Sequence, residues 1–147
     1  MNKIIALTML VLVMVLSHTA IAGEQATAYE TCEHIKQKTN SLYTVECSRQ
    51  DAVTEVIKIY YPSGSLESDY KLKDGKRDGE FASYYESDLG KESQVKSEVT
   101  FENGKQEGEQ RDYWPTGKLS GVLPFKGGRI HGTSTYIARD GRKSHSR

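Results

Sequence analysis

From Val53 onward, apolar and polar residues alternate along the chain. In the run LESDYKL, Leu66, Ser68, Tyr70 and Leu72 share one side, and Glu67, Asp69 and Lys71 share the other. A period of two with one apolar side predicts a half-buried antiparallel strand. The run VKSEVTF repeats the pattern with Val95, Val99 and Phe101, and LSGVLPF repeats it with Leu119, Leu123 and Phe125. Pro124 falls on the opposite side and has no N–H for a ladder bond, so it suits an edge or a bulge. VTEVIKIYY, rich in β-branched and aromatic residues, predicts another strand, closed by the turn PSGS. Upstream the pattern differs. Residues 24–40 lack alternation, and Ala28, Cys32 and Ile35 fall at helical spacing, which predicts one short helix. SLYTVECS then alternates Tyr43, Val45 and Cys47 against Leu42, Thr44 and Glu46, as a strand would.

One phrase recurs: DGKRDG at 74–79, NGKQEG at 103–108 and GGRIHG at 127–132. Its opening pairs, Asp74-Gly75, Asn103-Gly104 and Gly127-Gly128, tolerate the positive φ of tight hairpin turns. The second glycines, Gly79, Gly108 and Gly132, stand where the next strand is expected to begin, as a bulge or a close approach of backbones. Phosphate-binding glycine loops instead lead from a strand into a helix, with different spacing, so these phrases read as turns. Gly64, Gly117 and Gly141 mark a second set of turns. Aromatic starts at Tyr60-Tyr61, Tyr84-Tyr85, Tyr113-Trp114 and Tyr136 complete the period, and extra residues in ESDLGKESQVK lengthen the second unit. A spacing inside about 20–50 residues marks a repeat array.

YYPSGSLESDYKLKDGKRDG, YYESDLGKESQVKSEVTFENGKQEG, YWPTGKLSGVLPFKGGRIHG and the unfinished YIARDGRK resemble the MORN-repeat variant of bacterial proteins of the YwqK antitoxin type. The resemblance covers about residues 56–143. It implies a mainly β fold, a single elongated antiparallel sheet of stacked β-hairpin repeats, here behind a short N-terminal helix and strand cap. It also implies a binding role toward proteins or lipid head groups.

The ends place this scaffold. A basic start, an apolar run from Ile4 to Leu16 and an Ala20-x-Ala22 site describe a secretory signal peptide over residues 1–22, cleaved after Ala22. The run is short of the about 20 residues that cross a bilayer. The chain is therefore expected to be exported, to the periplasm or beyond. Residues 23–52 form the expected cap, 53–143 the repeat domain of about three and a half repeats, and 144–147 a disordered basic tail. Cys32 and Cys47 form the expected disulfide, since an exported pair without C-x-x-C spacing is usually structural. Closing a loop of about 15 residues stabilises the fold by roughly 3 kcal/mol. With 20 basic and 20 acidic residues the formal net charge is +0, which argues against nucleic acid as a partner.

Catalytic chemistry is thin, and the chain reads as a non-enzyme without cofactors. Cys32, His34 and Cys47 fall short of the ligands a metal site needs. Ser93-x-x-Lys96 matches a penicillin-binding motif but lacks its partner motifs and lies among strands. The slot filled by Asp78, Glu107 and His131 reads as a solvent-facing polar position in each turn. Adjacent strand residues face opposite ways, so each aromatic pair puts one ring on each face. Tyr61, Tyr85 and Trp114 are the candidate partner-binding ladder, with cross-strand packing as the plainer role for the rings. The expected partner is another protein. An anionic lipid surface, met by Lys73, Lys76, Arg77, Lys105 and Arg129 near the turns, is the alternative.

Overall fold

The computed structural model describes residues 30–88 and 90–147. The signal peptide expected over 1–22, and the first residues of the expected cap, lie outside them. One helix, α1 (Cys32–Lys38), precedes ten strands. These are β1 (Thr44–Arg49), β2 (Thr54–Tyr60), β3 (Leu66–Lys73), β4 (Lys76–Tyr84), β5 (Val95–Glu102), β6 (Lys105–Tyr113), β7 (Leu119–Lys126), β8 (Arg129–Ile130), β9 (Ser134–Ile137) and β10 (Lys143–Ser146). They form one antiparallel sheet in the order β1-β2-β3-β4-β5-β6-β7-β9-β10, with β8 also pairing β7. Apart from β7 and β9, which flank the two-residue β8, neighbouring strands are consecutive in sequence, and most are joined by short turns, the connection over residues 85–94 between β4 and β5 being longer.

Helix α1 is short and fixed at both ends. Thr31 caps it, its Oγ1 accepting from His34 N at 3.2 Å, and the Thr39 hydroxyl donates back to Ile35 O at 2.7 Å. Ile35 is its one buried side chain, and it packs on Ile57, Tyr70 and Leu72 of the sheet. The disulfide Cys32–Cys47, with Cα atoms 6.1 Å apart, ties α1 to β1 beside this contact. The pair consumes both cysteines and suits an oxidising compartment.

Register decides which side chains meet. Cys47, Ile57, Tyr70, Phe81 and Val99 stand directly opposite one another across β1 to β5, forming one apolar row. Ile57 is wholly buried and Leu72 nearly so. Each such side chain contributes roughly 1.5–3 kcal/mol of burial. Among the described residues α1 is the only helix, and it covers this face at the β1–β3 end. Farther along, Phe101, Leu123 and Phe125 on the same face stay half-exposed.

The glycine phrases are hairpin turns with positive φ at both central residues: 48° and 70° at Asp74-Gly75, 49° and 83° at Asn103-Gly104, and 59° and 81° at Gly127-Gly128. Two positive values define the type I′ turn that matches strand twist. Strands β4 and β6 begin inside the phrase, so Gly79 and Gly108 lie within strands rather than at their starts. Between the two roles open to them the geometry selects the bulge. The ladder register shifts opposite each glycine, φ is 93° and 77°, and a Cβ added at either would meet nothing within 4 Å.

Two expectations about the C-terminal end need correction. Of residues 144–147, expected as a disordered tail, 144–146 instead belong to β10, which pairs with β9 from Lys143↔Ile137 to Ser146↔Ser134. The turn before it closes through Ala138 N to Arg142 O at 2.8 Å, and the Asp140 carboxylate accepts from Arg142 N at 3.1 Å. All four β10 residues are exposed, so no apolar alternation betrays the strand. The aromatic start assigned to Tyr136 is also out of step. The first-turn bond Tyr61 N to Ser65 O recurs as Trp114 N to Lys118 O and as Ala138 N to Arg142 O. Ile137 and Ala138 therefore occupy the fourth aromatic slot, and Tyr136 stands one residue early, 45% exposed on the apolar face.

Candidate functional site

The recurring aromatic pairs sit at the end of β2, β4 and β6, where alternation sends one ring to each face. On the apolar face, Tyr61 Oη donates to Tyr84 O at 2.8 Å and Tyr85 Oη to Tyr113 O at 2.8 Å. Trp114 Nε1 donates to Ile137 O at 3.1 Å. Each candidate partner-binding ring thus stitches its own unit to the backbone of the next. Tyr43 continues the row upstream, its ring centroid 5.7 Å from that of Tyr61. All three rings are half-buried, and their polar tips are committed to backbone carbonyls.

The other face carries a second ladder. Tyr60 Oη donates to Glu46 Oε2 at 3.0 Å, Tyr84 Oη to Asp69 Oδ1 at 3.0 Å, and Tyr113 Oη to Glu98 Oε1. In the register, Glu46 faces Lys58, Asp69 faces Ala82 and Glu98 faces Arg111, each two residues before its tyrosine. These are diagonal cross-strand pairs, still within reach of long side chains. Burial and then the Asp69 bond push the Tyr84 hydroxyl up to about 12. Burial first and Glu46 second raise Tyr60, whereas the Glu98 bond leads for Tyr113.

At the opposite end of the strands, the glycine turns are stapled to one another. Gly104 N donates to Arg77 O at 2.8 Å and Gly128 N to Gln106 O at 2.9 Å. The slot read as solvent-facing completes the staple. Asp78 Oδ2 accepts from Asn103 N at 3.1 Å, and Glu107 Oε1 accepts from Gly127 N at 2.6 Å. A carboxylate one residue before the second glycine caps the following turn. His131, in the same slot of the third phrase, is exposed.

Arg77, expected among the cations near the turns that would meet a lipid surface, turns inward. Its guanidinium lies 4.5 Å from the Tyr70 centroid, 5.4 Å from Phe81 and 5.6 Å from Phe101. Its Nε donates to Glu30 Oε2 at 3.3 Å, and Glu30 N donates to Gly75 O at 2.7 Å. Arg77 therefore joins the cap to the repeats. Lys73, Lys105 and Arg129 remain exposed near the turns. Sequence spacing could not show this arginine's role, because its three rings come from three different strands.

No group of three or more His, Cys, Asp or Glu suited to a metal ion occurs among the described residues. Ser93 lies outside any helix and bonds Ser87 Oγ at 2.9 Å, and Lys96 lies 5.9 Å from the Tyr85 ring. Grooves also lie on the described surface. A groove of about 280 Å³ on the polar face is lined by Glu80, Glu98, Glu109 and Arg111, and Arg111 is spoken for by Glu109 at 2.9 Å. A larger one, about 610 Å³, opens at the C-terminal end between Trp114, Gly121, Tyr136, Ala138, Lys143 and Ser144. Compared with family models, curated proteins and solved structures, the chain matches none.

Proposed function

We infer that this protein is an exported, non-enzymatic interaction module that presents a rigid repeat β-sheet to another protein, in an immunity- or antitoxin-like role. The observation that carries this reading is the apolar face beyond β3. There Phe101, Leu123 and Phe125 are half-exposed and Tyr136 is exposed, on a sheet whose hydrogen-bonding rings are already committed to its own backbone. A pre-ordered face loses little conformational entropy on binding. Aromatic anchors ringed by polar residues are what protein interfaces draw on. The disulfide and the secretory leader read from the sequence support export. The MORN-like pattern supports a binding scaffold in place of a catalytic one.

Affinity capture tests the reading. The tagged chain, recovered from its own cell envelope after mild crosslinking, is expected to bring down one stoichiometric protein. Bulk envelope lipid, or a salt-sensitive association with acidic vesicles and no protein, would replace this reading with the head-group alternative.

A further inference from the structure

The aromatic row breaks off at one position. Slots 61, 85 and 114 hold rings that reach forward over the next unit, but the fourth slot holds Ala138. The missing ring leaves the groove of about 610 Å³, walled by Trp114, Tyr136 and Ala138. Gly121 floors it, and Lys143 and Ser144 of β10 form its outer lip. Beside it runs a bare strand edge. Among the described residues β10 pairs only with β9, and all its residues are exposed.

The ladder pattern says which backbone groups are open. The turn bond Ala138 N to Arg142 O makes Ala138 and Arg142 a hydrogen-bonded pair. Antiparallel pairs alternate. Tyr136↔Ser144 and Ser134↔Ser146 are then bonded inward, and the N–H and C=O groups of Lys143 and His145 point away from β9. The same end is basic. Residues 139–147 carry Arg139, Arg142, Lys143 and Arg147 against Asp140 alone, in a chain of net charge +0.

We propose that this end is a strand-addition site for an extended acidic segment of the partner protein, which pairs along β10 and places one aromatic side chain in the groove at Ala138. Main-chain bonds to an open edge supply affinity, and a pocket for alternate side chains supplies selectivity. Ser144 and Ser146, facing the groove side, are small enough to let a ring pass over them toward Trp114 and Tyr136. Carboxylates flanking that ring meet Lys143 and Arg147. The assignment rests on the reading of the chain as a protein-interaction module.

The test is a random-peptide phage library panned on the full chain. Enriched peptides are expected to share one aromatic residue flanked by Asp or Glu. They should bind at least tenfold more weakly to Ala138→Trp, which supplies the missing ring from within. They should also weaken on His145→Pro, which removes an outward N–H and spares the main-chain bonds to β9, while losing the His145 Nδ1 contact to Thr135 Oγ1 at 3.0 Å. His145→Ala, which loses that contact alone, should bind the peptides as wild type does. Circular dichroism on Ala138→Trp and His145→Pro separates loss of binding from loss of fold. If either variant unfolds, Lys143→Glu takes its place with the same expectation. Peptides without acidic-aromatic character, no enrichment, or equal affinity for wild type and variants would overturn the site. Self-association abolished by the same variants would also overturn it, assigning the edge to a second copy of this chain. If envelope capture succeeds while Ala138→Trp captures equally well, this site fails and the interaction reading stands. If capture yields no protein, the reading itself fails.

Discussion

Replacing Arg77 by alanine should loosen the whole cap from the repeats, because this one side chain touches β3, β4, β5 and Glu30. Only the Tyr70 ring, at 4.5 Å, is close enough for strong stacking; Phe81 and Phe101 stand farther off. A partly shielded guanidinium over rings contributes about 1 kcal/mol, between the exposed and desolvated limits. The Glu30 pair is 29–33% exposed on its two side chains, so screening holds it to about 0.5 kcal/mol. Losing the three-carbon stem from the ring surface adds about another 0.5 kcal/mol. The expected total is about 2 kcal/mol for Arg77→Ala, and about half that for Arg77→Lys, which keeps charge and stem but not the flat stacking surface. Urea denaturation followed by tyrosine and tryptophan fluorescence measures both. With a slope near the about 1–3 kcal/mol/M of small proteins, the alanine midpoint should fall by about 1 M at unchanged slope. A loss below about 0.5 kcal/mol would refute the inward role and return Arg77 to the surface.

Gly79→Ala and Gly108→Ala should each destabilise by about 1–2 kcal/mol through positive φ alone, since a Cβ meets nothing within 4 Å. Thermal melts of both variants check this, and a neutral result would contradict the bulge assignment. Reducing the Cys32–Cys47 disulfide, which spans a sequence separation of 15, should cost roughly 3 kcal/mol and release α1 first. Far-ultraviolet circular dichroism with and without reductant reads it. In alkali, Tyr84 has a folded value near 12 against an ordinary 10.0. The stability it contributes is complete below its unfolded value and fades as pH climbs from there through the folded one. Tyr84→Phe should flatten the decline of urea midpoints across that window.

The strands and turns were legible because each is local. Alternation such as Leu66, Ser68, Tyr70 and Leu72 shows a strand's buried side without any knowledge of its neighbour. Asp74-Gly75 and Asn103-Gly104 announce their own backbone shape. What escaped depends on register between strands. Asp78 looks like any polar turn residue until Asn103 N is brought to it from the next unit. Arg77 finds its rings only after β3, β4 and β5 are aligned. β10 is an edge strand without a buried side, so its composition resembles a loop. Tyr136 misled for a related reason. An aromatic residue near the expected spacing is less telling than the turn bond that fixes its slot, and that bond picks out Ala138.

Amide hydrogen exchange on the captured complex tests the central claim most directly, that the open C-terminal end of the sheet receives a protein. Slowed exchange at Lys143 and His145, with the glycine turns at 74–79 and 103–108 unchanged, is the predicted result. Protection confined to those turns, or none anywhere on β9 and β10, would contradict it.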